Sequence, residues 1–155
     1  MSDLAELRQI SSYFEAVPTR EQIERLEDLL LSVTEAHVEI EIEHVFSPGV
    51  YCRKAFIKAG TVLIGKVHLT EHANVCCGDL TVWTEQGMKR LTGFHTVVSL
   101  PGTKRVGYAH ADTVWMTIHP NTDDCRDLDV IEARLVRDPR HALNAPRALE
   151  LLEAA

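Results

Sequence analysis

The chain has 155 residues, enough for one domain with a substantial core. Hydrophobic residues make up 45% and charged residues 25%, which excludes a disordered chain, and a net charge of −7 argues against a nucleic-acid partner. No apolar run approaches the roughly 18 residues of a membrane span, so no membrane partner is expected either.

The N-terminus, Met1-Ser-Asp-Leu-Ala-Glu6, lacks a secretory pattern. Leu4, Leu7, Ile10 and Phe14 recur at helical spacing and predict a helix over 3–16. Pro18 ends it, and Thr19-Arg-Glu-Gln22 reads as the capping box of a second helix near 20–34. Ile23, Leu26, Leu29, Leu30 and Val33 form its apolar stripe. That stripe packs either on the chain's own domain or on a second copy.

From His37 the period changes to two. Val38, Ile40 and Ile42 alternate with Glu39, Glu41 and Glu43, which is a half-buried strand. After the turn at Ser47-Pro-Gly49, strands are predicted over 50–58, 61–68, 72–77, 80–84, 88–91, 95–100, 105–109 and 113–119. Glycine, proline or aspartate turns separate most of them, and no gap is long enough for a crossover helix, so the pattern predicts an antiparallel sandwich or barrel. Residues 128–136 read as a further strand, and Asn144-Ala-Pro-Arg147 as the start of a short final helix. The expected organisation is a helical segment over 1–36, a barrel over 37–136 and a tail over 137–155. Cys52, Cys76, Cys77 and Cys125 form no C-x-x-C pair, and adjacent Cys76 and Cys77 point to opposite sheet faces, so all four are expected reduced and the protein cytoplasmic.

Two blocks concentrate the polar chemistry. One runs Gly60-Thr-Val-Leu-Ile-Gly-Lys66-Val-His68-Leu-Thr-Glu71-His72 and closes at Gly78. The other runs Pro101-Gly-Thr-Lys-Arg105, then Asp112-Thr-Val-Trp115-Met-Thr-Ile-His119. Together they resemble the two halves of a cupin motif. The narrower resemblance, carried by Ser47-Pro-Gly-Val-Tyr-Cys-Arg53, Thr70-Glu-His72, Val82-Trp-Thr-Glu85 and Asp112-Thr-Val-Trp115 over roughly residues 20–125, is to small cupin-like proteins of tailed phages and prophages. The resemblance implies a mainly β fold, a cupin double-stranded β-helix (jelly-roll barrel) with two N-terminal helices and a short C-terminal helix. It also places a pocket inside the barrel. The motif departs from the family's pattern in two places: Lys66 stands where the first histidine is usual, and Arg105 is nearest to the histidine missing from the second half.

His68 and His72 can share a metal, because two imidazoles on neighbouring backbone elements make a half-site for Zn, Fe, Ni or Mn. Glu71 and His119 are the candidates to complete it. His119 ends a strand whose alternate residues are Thr113, Trp115 and Thr117, and Asn74 and Cys76 share the parity of His72. Equally, these histidines can simply hydrogen-bond within a polar interior. Lys66, Lys104 and Arg105 suggest a small anionic ligand, with Lys66, Arg105 and Trp115 as its contacts. Three functions follow: a binding protein for a small anion, a metal-dependent enzyme such as an isomerase, oxygenase or lyase with no assigned catalytic residue, and a structural virion component. A homodimer or higher oligomer is expected, with the second helix as one candidate contact.

Overall fold

The computed structural model describes residues 17–32, 34–137 and 147–150. The helix expected over 3–16 lies outside them. The second helix is present as α1, Arg20–Ser32. The Thr19 backbone N–H donates to Gln22 Oε1 and the Gln22 N–H to Thr19 Oγ1, which is the reciprocal cap read from the sequence. A single 3-10 turn, Thr34–Ala36, leads into β1 (His37–Glu39).

The remaining strands are β2 (Glu41–Ser47), β3 (Gly49–Ile57), β4 (Thr61–Ile64), β5 (His72–Thr84), β6 (Gly87–Ser99), β7 (Val106–Ala109), β8 (Thr113–Asn121) and β9 (Arg147–Glu150). The sheet order is β1-β9-β4-β7-β5-β8-β3-β2, with β6 on the free side of β5, and every pairing is antiparallel. Side chains from β3, β4, β5, β7 and β8 line one cavity. The sheet is therefore curled on itself in the jelly-roll manner expected of a cupin barrel.

Strand β5 makes the curl. Its first half, Ala73–Cys77, pairs with β8, and its second half, Leu80–Trp83, pairs with β7. The sequence suggested a break at Gly78-Asp79, yet the strand runs through. Gly78 instead lets the start of β8 come close. Its φ is +146°, and a Cβ there would lie 2.7 Å from Thr113 Cα and 2.8 Å from the Asp112 carbonyl oxygen. Only glycine fits both the dihedral and the approach. The same continuity joins the two short strands expected over 88–91 and 95–100 into β6.

Two elements differ from the sequence reading. Residues 128–136, expected as a strand, form helix α2, Leu128–Leu135. Asp127 caps it, its side chain accepting from the Asp129 and Val130 N–H groups. The β-branched pair Val130-Ile131 suggested a strand, but the cap and the spacing of Leu128, Ile131 and Leu135 decide for helix. Where the final helix was expected to begin, residues 147–150 form β9, inserted between β1 and β4.

Two apolar clusters hold the fold. Ile40, Ala55, Ile57, Cys76, Leu80, Val82, Leu91 and Ala109 fill the space inside the curled sheet. Ile23, Leu26 and Leu30 pack with Val62, Ile64, Trp83 and Val106 on the outside of β4, β5 and β7. Ile23, Leu26 and Leu30 of the α1 stripe are thus buried on their own barrel, the first of the two packings the sequence left open. Lys104 fastens the same contact: it is 4% exposed and pairs with Glu27 at 2.6 Å. It does not join the pocket cations expected from the sequence. All four cysteines are free, and no described helix is long and apolar enough to cross a membrane.

Docking of α1 on the barrel makes unequal demands on neighbouring stripe residues. Ile23 is 0% exposed and Leu29 is 39% exposed. Ile23→Ala should lower the unfolding free energy by about 2–5 kcal/mol, whereas Leu29→Ala should cost less than about 1 kcal/mol. Urea denaturation of the two variants checks this, and equal small losses would mean that α1 is not docked.

Candidate metal centre and anion pocket

The loop between β4 and β5 carries His68 and is pinned from three sides. The Gly65 N–H donates to the Arg105 carbonyl at 2.9 Å, the Leu69 N–H to the Leu135 carbonyl at 2.8 Å, and the Gly102 N–H to the His68 carbonyl at 2.9 Å. His72 opens β5 on its inner face. The register Ala73↔Ile118 brings it level with His119 on the inner face of β8. The three imidazoles meet: ring centres lie 4.4 Å apart for His68 and His72, 4.6 Å for His72 and His119, and 5.4 Å for His68 and His119. One nitrogen from each lies within 4.8 Å of the others.

Burial decides their protonation. It pushes the His68 pKa down to about 3, with further lowering from His72, His119 and Arg105. It takes His119 to about 4, helped by His72 and Arg53, and lowers His72 as well. All three rings are therefore neutral at neutral pH, the state a metal ligand requires. His72 Nδ1 lies 3.0 Å from the Thr70 carbonyl oxygen. A carbonyl only accepts, so Nδ1 carries the proton and Nε2 presents a lone pair. His72 Nε2 and His119 Nδ1 are buried without a hydrogen-bond partner. A purely hydrogen-bonded histidine cluster leaves these two atoms unsatisfied. Three neutral imidazoles with free lone pairs fit a divalent transition metal, so His68, His72 and His119 are placed to hold one.

Glu71, the carboxylate expected to complete the set, is exposed and does not line the cavity. Strand alternation explains this: with His72 inward, its neighbour is sent outward. Lys66 does line the cavity, but its ammonium pairs with Glu132 of α2. Arg105 and Trp115 both face the cavity, with the guanidinium carbon 5.6 Å from the indole centre. Arg53 also faces it and was missed in the sequence, although Tyr51, Ala55 and Ile57 at the same parity mark that face of β3 as internal. Burial lowers the pKa of both arginines, yet a guanidinium stays charged. Among the described residues, no carboxylate lies within ion-pair distance of either.

The cavity has a volume of about 780 Å³. Helix α2 forms part of its wall through Leu128, Ile131, Glu132 and Leu135. Tyr51 completes the polar lining: its hydroxyl lies 2.8 Å from His44 Nδ1, and its ring stacks on His119 with centres 6.3 Å apart.

No protein-family model matches the chain, and no curated protein matches it. Solved structures do resemble it at low identity. KdgF from Halomonas sp. is 18% identical, with a TM-score of 0.45 over 57% of this chain and 90% of that one. A cupin-2 domain protein from Shewanella frigidimarina is 14% identical, with a TM-score of 0.42 over 62% and 92%. A cupin 2 conserved barrel domain protein from Leptotrichia buccalis is 12% identical, with a TM-score of 0.47 over 66% and 50%.

The geometry separates the sequence candidates by experiment. His72→Ala and His119→Ala should each cut the metal retained after purification by at least about tenfold, since each removes a ligand. Glu71→Ala should leave metal content unchanged. Inductively coupled plasma mass spectrometry of the three variants reads this directly, and a loss on Glu71→Ala would restore the carboxylate to the site.

Proposed function

We propose that this protein is a cupin-type binding protein that holds a divalent transition metal at His68, His72 and His119 and a small anionic molecule beside it. The observation that carries this reading is the company the histidines keep. Arg105 acts electrostatically on His68 and His72, and Arg53 on His119, so two guanidiniums flank the triad, neither in a direct ion pair among the described residues, with Glu132 acting on Arg53 from a distance. Arg53 and Arg105 are half-buried, so each carries part of the cost of a desolvated charge, and an anion entering the cavity relieves it. A volume of about 780 Å³ suits a metabolite-sized ligand. Trp115 offers a flat wall on which the Arg105 fork is held, which favours a planar carboxylate or a phosphate. A bound metal would supply Lewis acidity and open coordination positions. A role in the cytoplasm of a phage-infected cell is the setting that the sequence resemblance suggests.

A metal-dependent enzyme is the second reading, favoured by one feature. The Tyr51 hydroxyl, paired with His44, is a proton-carrying group on the cavity wall next to His119. The same pocket serves both readings, and the difference is whether the anion is changed.

Calorimetric titration of nickel-loaded protein with oxalate and with inorganic phosphate tests the binding reading. Wild type should bind at least one of the two. Arg105→Leu should weaken binding by at least about tenfold, and Arg105→Lys should not restore it, because a lysine cannot present the planar fork. Arg90, which is exposed and paired with Asp79, supplies the control: Arg90→Leu should bind as wild type does. Failure of wild type to take up either anion, or equal binding by Arg105→Leu, would overturn the reading.

A further inference from the structure

We propose that the side-chain oxygen of Asn74 is a fourth protein donor to the cation held by the three histidines. This rests on the metal reading above. Asn74 is 0% exposed and sits on the inner face of β5, two residues beyond His72. Its Nδ2 donates to the Val97 carbonyl at 3.1 Å and lies 2.6 Å from Ser99 Oγ. Val97 offers only an acceptor, so the amide cannot be turned over, and Oδ1 is the atom left free. Oδ1 is buried and has no hydrogen-bond partner. His72 Nε2 is in the same condition, because its ring proton is committed to Thr70. The Asn74 side chain stands within reach of the His72 ring, although the two make no hydrogen bond of ordinary geometry.

Two buried acceptors therefore stand together unsatisfied; the Thr117 hydroxyl, opposite Asn74 in the β5–β8 register, is also unpartnered and donates to neither. Each such orphan costs about 1–3 kcal/mol. A cation satisfies both, and so does a water that donates one hydrogen to each. The cation is favoured because His119 Nδ1 is a third unpartnered atom in the same cavity and accepts when its ring proton sits on Nε2, and one water has only two hydrogens for three such acceptors. An amide oxygen in place of the absent Glu71 carboxylate leaves the site one negative charge weaker, which suits a pocket meant to admit an anion as well.

Cobalt(II) titration followed by visible absorption tests the assignment. Wild type should bind about one Co²⁺ per chain. Asn74→Leu should weaken binding by at least about tenfold and shift the d–d bands, and Asn74→Asp should tighten it, because the donor oxygen gains a charge. Unchanged affinity and spectrum in Asn74→Leu, with binding abolished in His119→Ala, would overturn the Asn74 assignment and leave the three-histidine site standing. Wild type that takes up no Co²⁺ would overturn the metal reading itself. Should Asn74→Leu not fold, Asn74→Asp decides: bands identical to wild type would refute the assignment.

A separate observation concerns assembly. Helix α1 covers the outside of one half of the curled sheet, and the outside of the other half is apolar and carries no other described element. Its rows, in register across β6, β5, β8, β3 and β2, are Val98-Ala73-Ile118-Cys52-Val45 and Thr96-Val75-Met116-Lys54-Glu43, followed by Phe94-Cys77-Val114-Phe56 across the first four strands. Phe94 is 72% exposed and Val98 57%. Within these rows charge lies on the β3–β2 side, where Lys54 and Glu43 pair at 2.9 Å, and the Arg90–Asp79 pair borders the face on β6 and β5.

We infer that this face packs on the same face of a second copy. Five strands at about 4.8 Å spacing and about 20 Å of strand length give a flat area of roughly 500 Å². With the relief of its side chains this approaches the ~800 Å² per partner of a stable interface. The apolar part of this face, on β6, β5 and β8, is complementary to itself and suits sheet-on-sheet stacking. Strand β6, which among the described strands pairs with β5 alone, leaves a long edge that such packing would shelter.

Light scattering on a sizing column at about 100 μM, a concentration well above typical dissociation constants for such interfaces, should show a dimer for wild type and a monomer for Phe94→Glu. The free thiol of Cys77, on this face, should react with iodoacetamide at least about fivefold faster in the variant, as shielding by a partner is lost. Val98→Lys gives the same reading if Phe94→Glu does not fold. A wild-type monomer with a reactive Cys77, or a dimer that survives both substitutions, would overturn the interface. A wild-type monomer whose Cys77 becomes reactive only on deletion of residues 1–16 would overturn it in favour of cover by the chain's own N-terminus.

Discussion

The architecture depends on one strand belonging to two halves of the sheet. β5 hydrogen-bonds to β8 before Gly78 and to β7 after it. The close approach of Thr113 to Gly78 is what lets the sheet turn there. Because the strand continues through the bend without losing its alternation, even-numbered residues face inward along its whole length. His72, Asn74 and Cys76 in the first half and Leu80 and Val82 in the second therefore share one interior. A polar end and an apolar end of the cavity follow from a single run of alternating residues.

That interior sets the electrostatics. The chain carries a net charge of −7, yet the groups around the histidines are two guanidiniums. Burial works in opposite senses on the two residue types. An imidazole escapes the cost of a buried charge by losing its proton, whereas a guanidinium cannot. The cavity is thus lined by neutral lone pairs and fixed positive charge, a combination that receives a cation and an anion side by side. Glu132, the acid on α2 that faces in, is answered by Lys66. Glu39 and Glu41 also line the cavity but are exposed.

Helix α2 and strand β9 show where local pattern misleads. Val130-Ile131 has strand propensity, but only eight residues are involved and Asp127 stands at the cap position, so a single turn of hydrogen bonds is enough to fix a helix. The helix is retained because Ile131 is buried against the cavity and because the Leu135 carbonyl and Val67 carbonyl tie its end to the loop bearing His68. Arg147–Glu150 lies in a segment that the sequence marks as a helix start, and its fate is decided by the open edges of β1 and β4, which it bridges. No local preference reports that two distant edges need a partner.

The sequence by itself determined the alternation. Period two from His37 onward, the turn residues and the absence of crossover-length gaps are enough to predict a curled antiparallel barrel. The parity of His72 with Asn74 and of Trp115 with His119 then says which residues share a face. Only the tertiary structure decided which faces meet. The level of His72 against His119 is a property of strand register, and the position of His68 comes from backbone bonds to residues 102 and 135. Lys104 and Arg105, adjacent in sequence, were divided between the α1 contact and the cavity by the same alternation, once β7 had taken its place beside β4. Glu71 was lost and Arg53 gained for one physical reason: period two fixes that neighbours point apart, and the pairing of strands far apart in the chain fixes which of them points in.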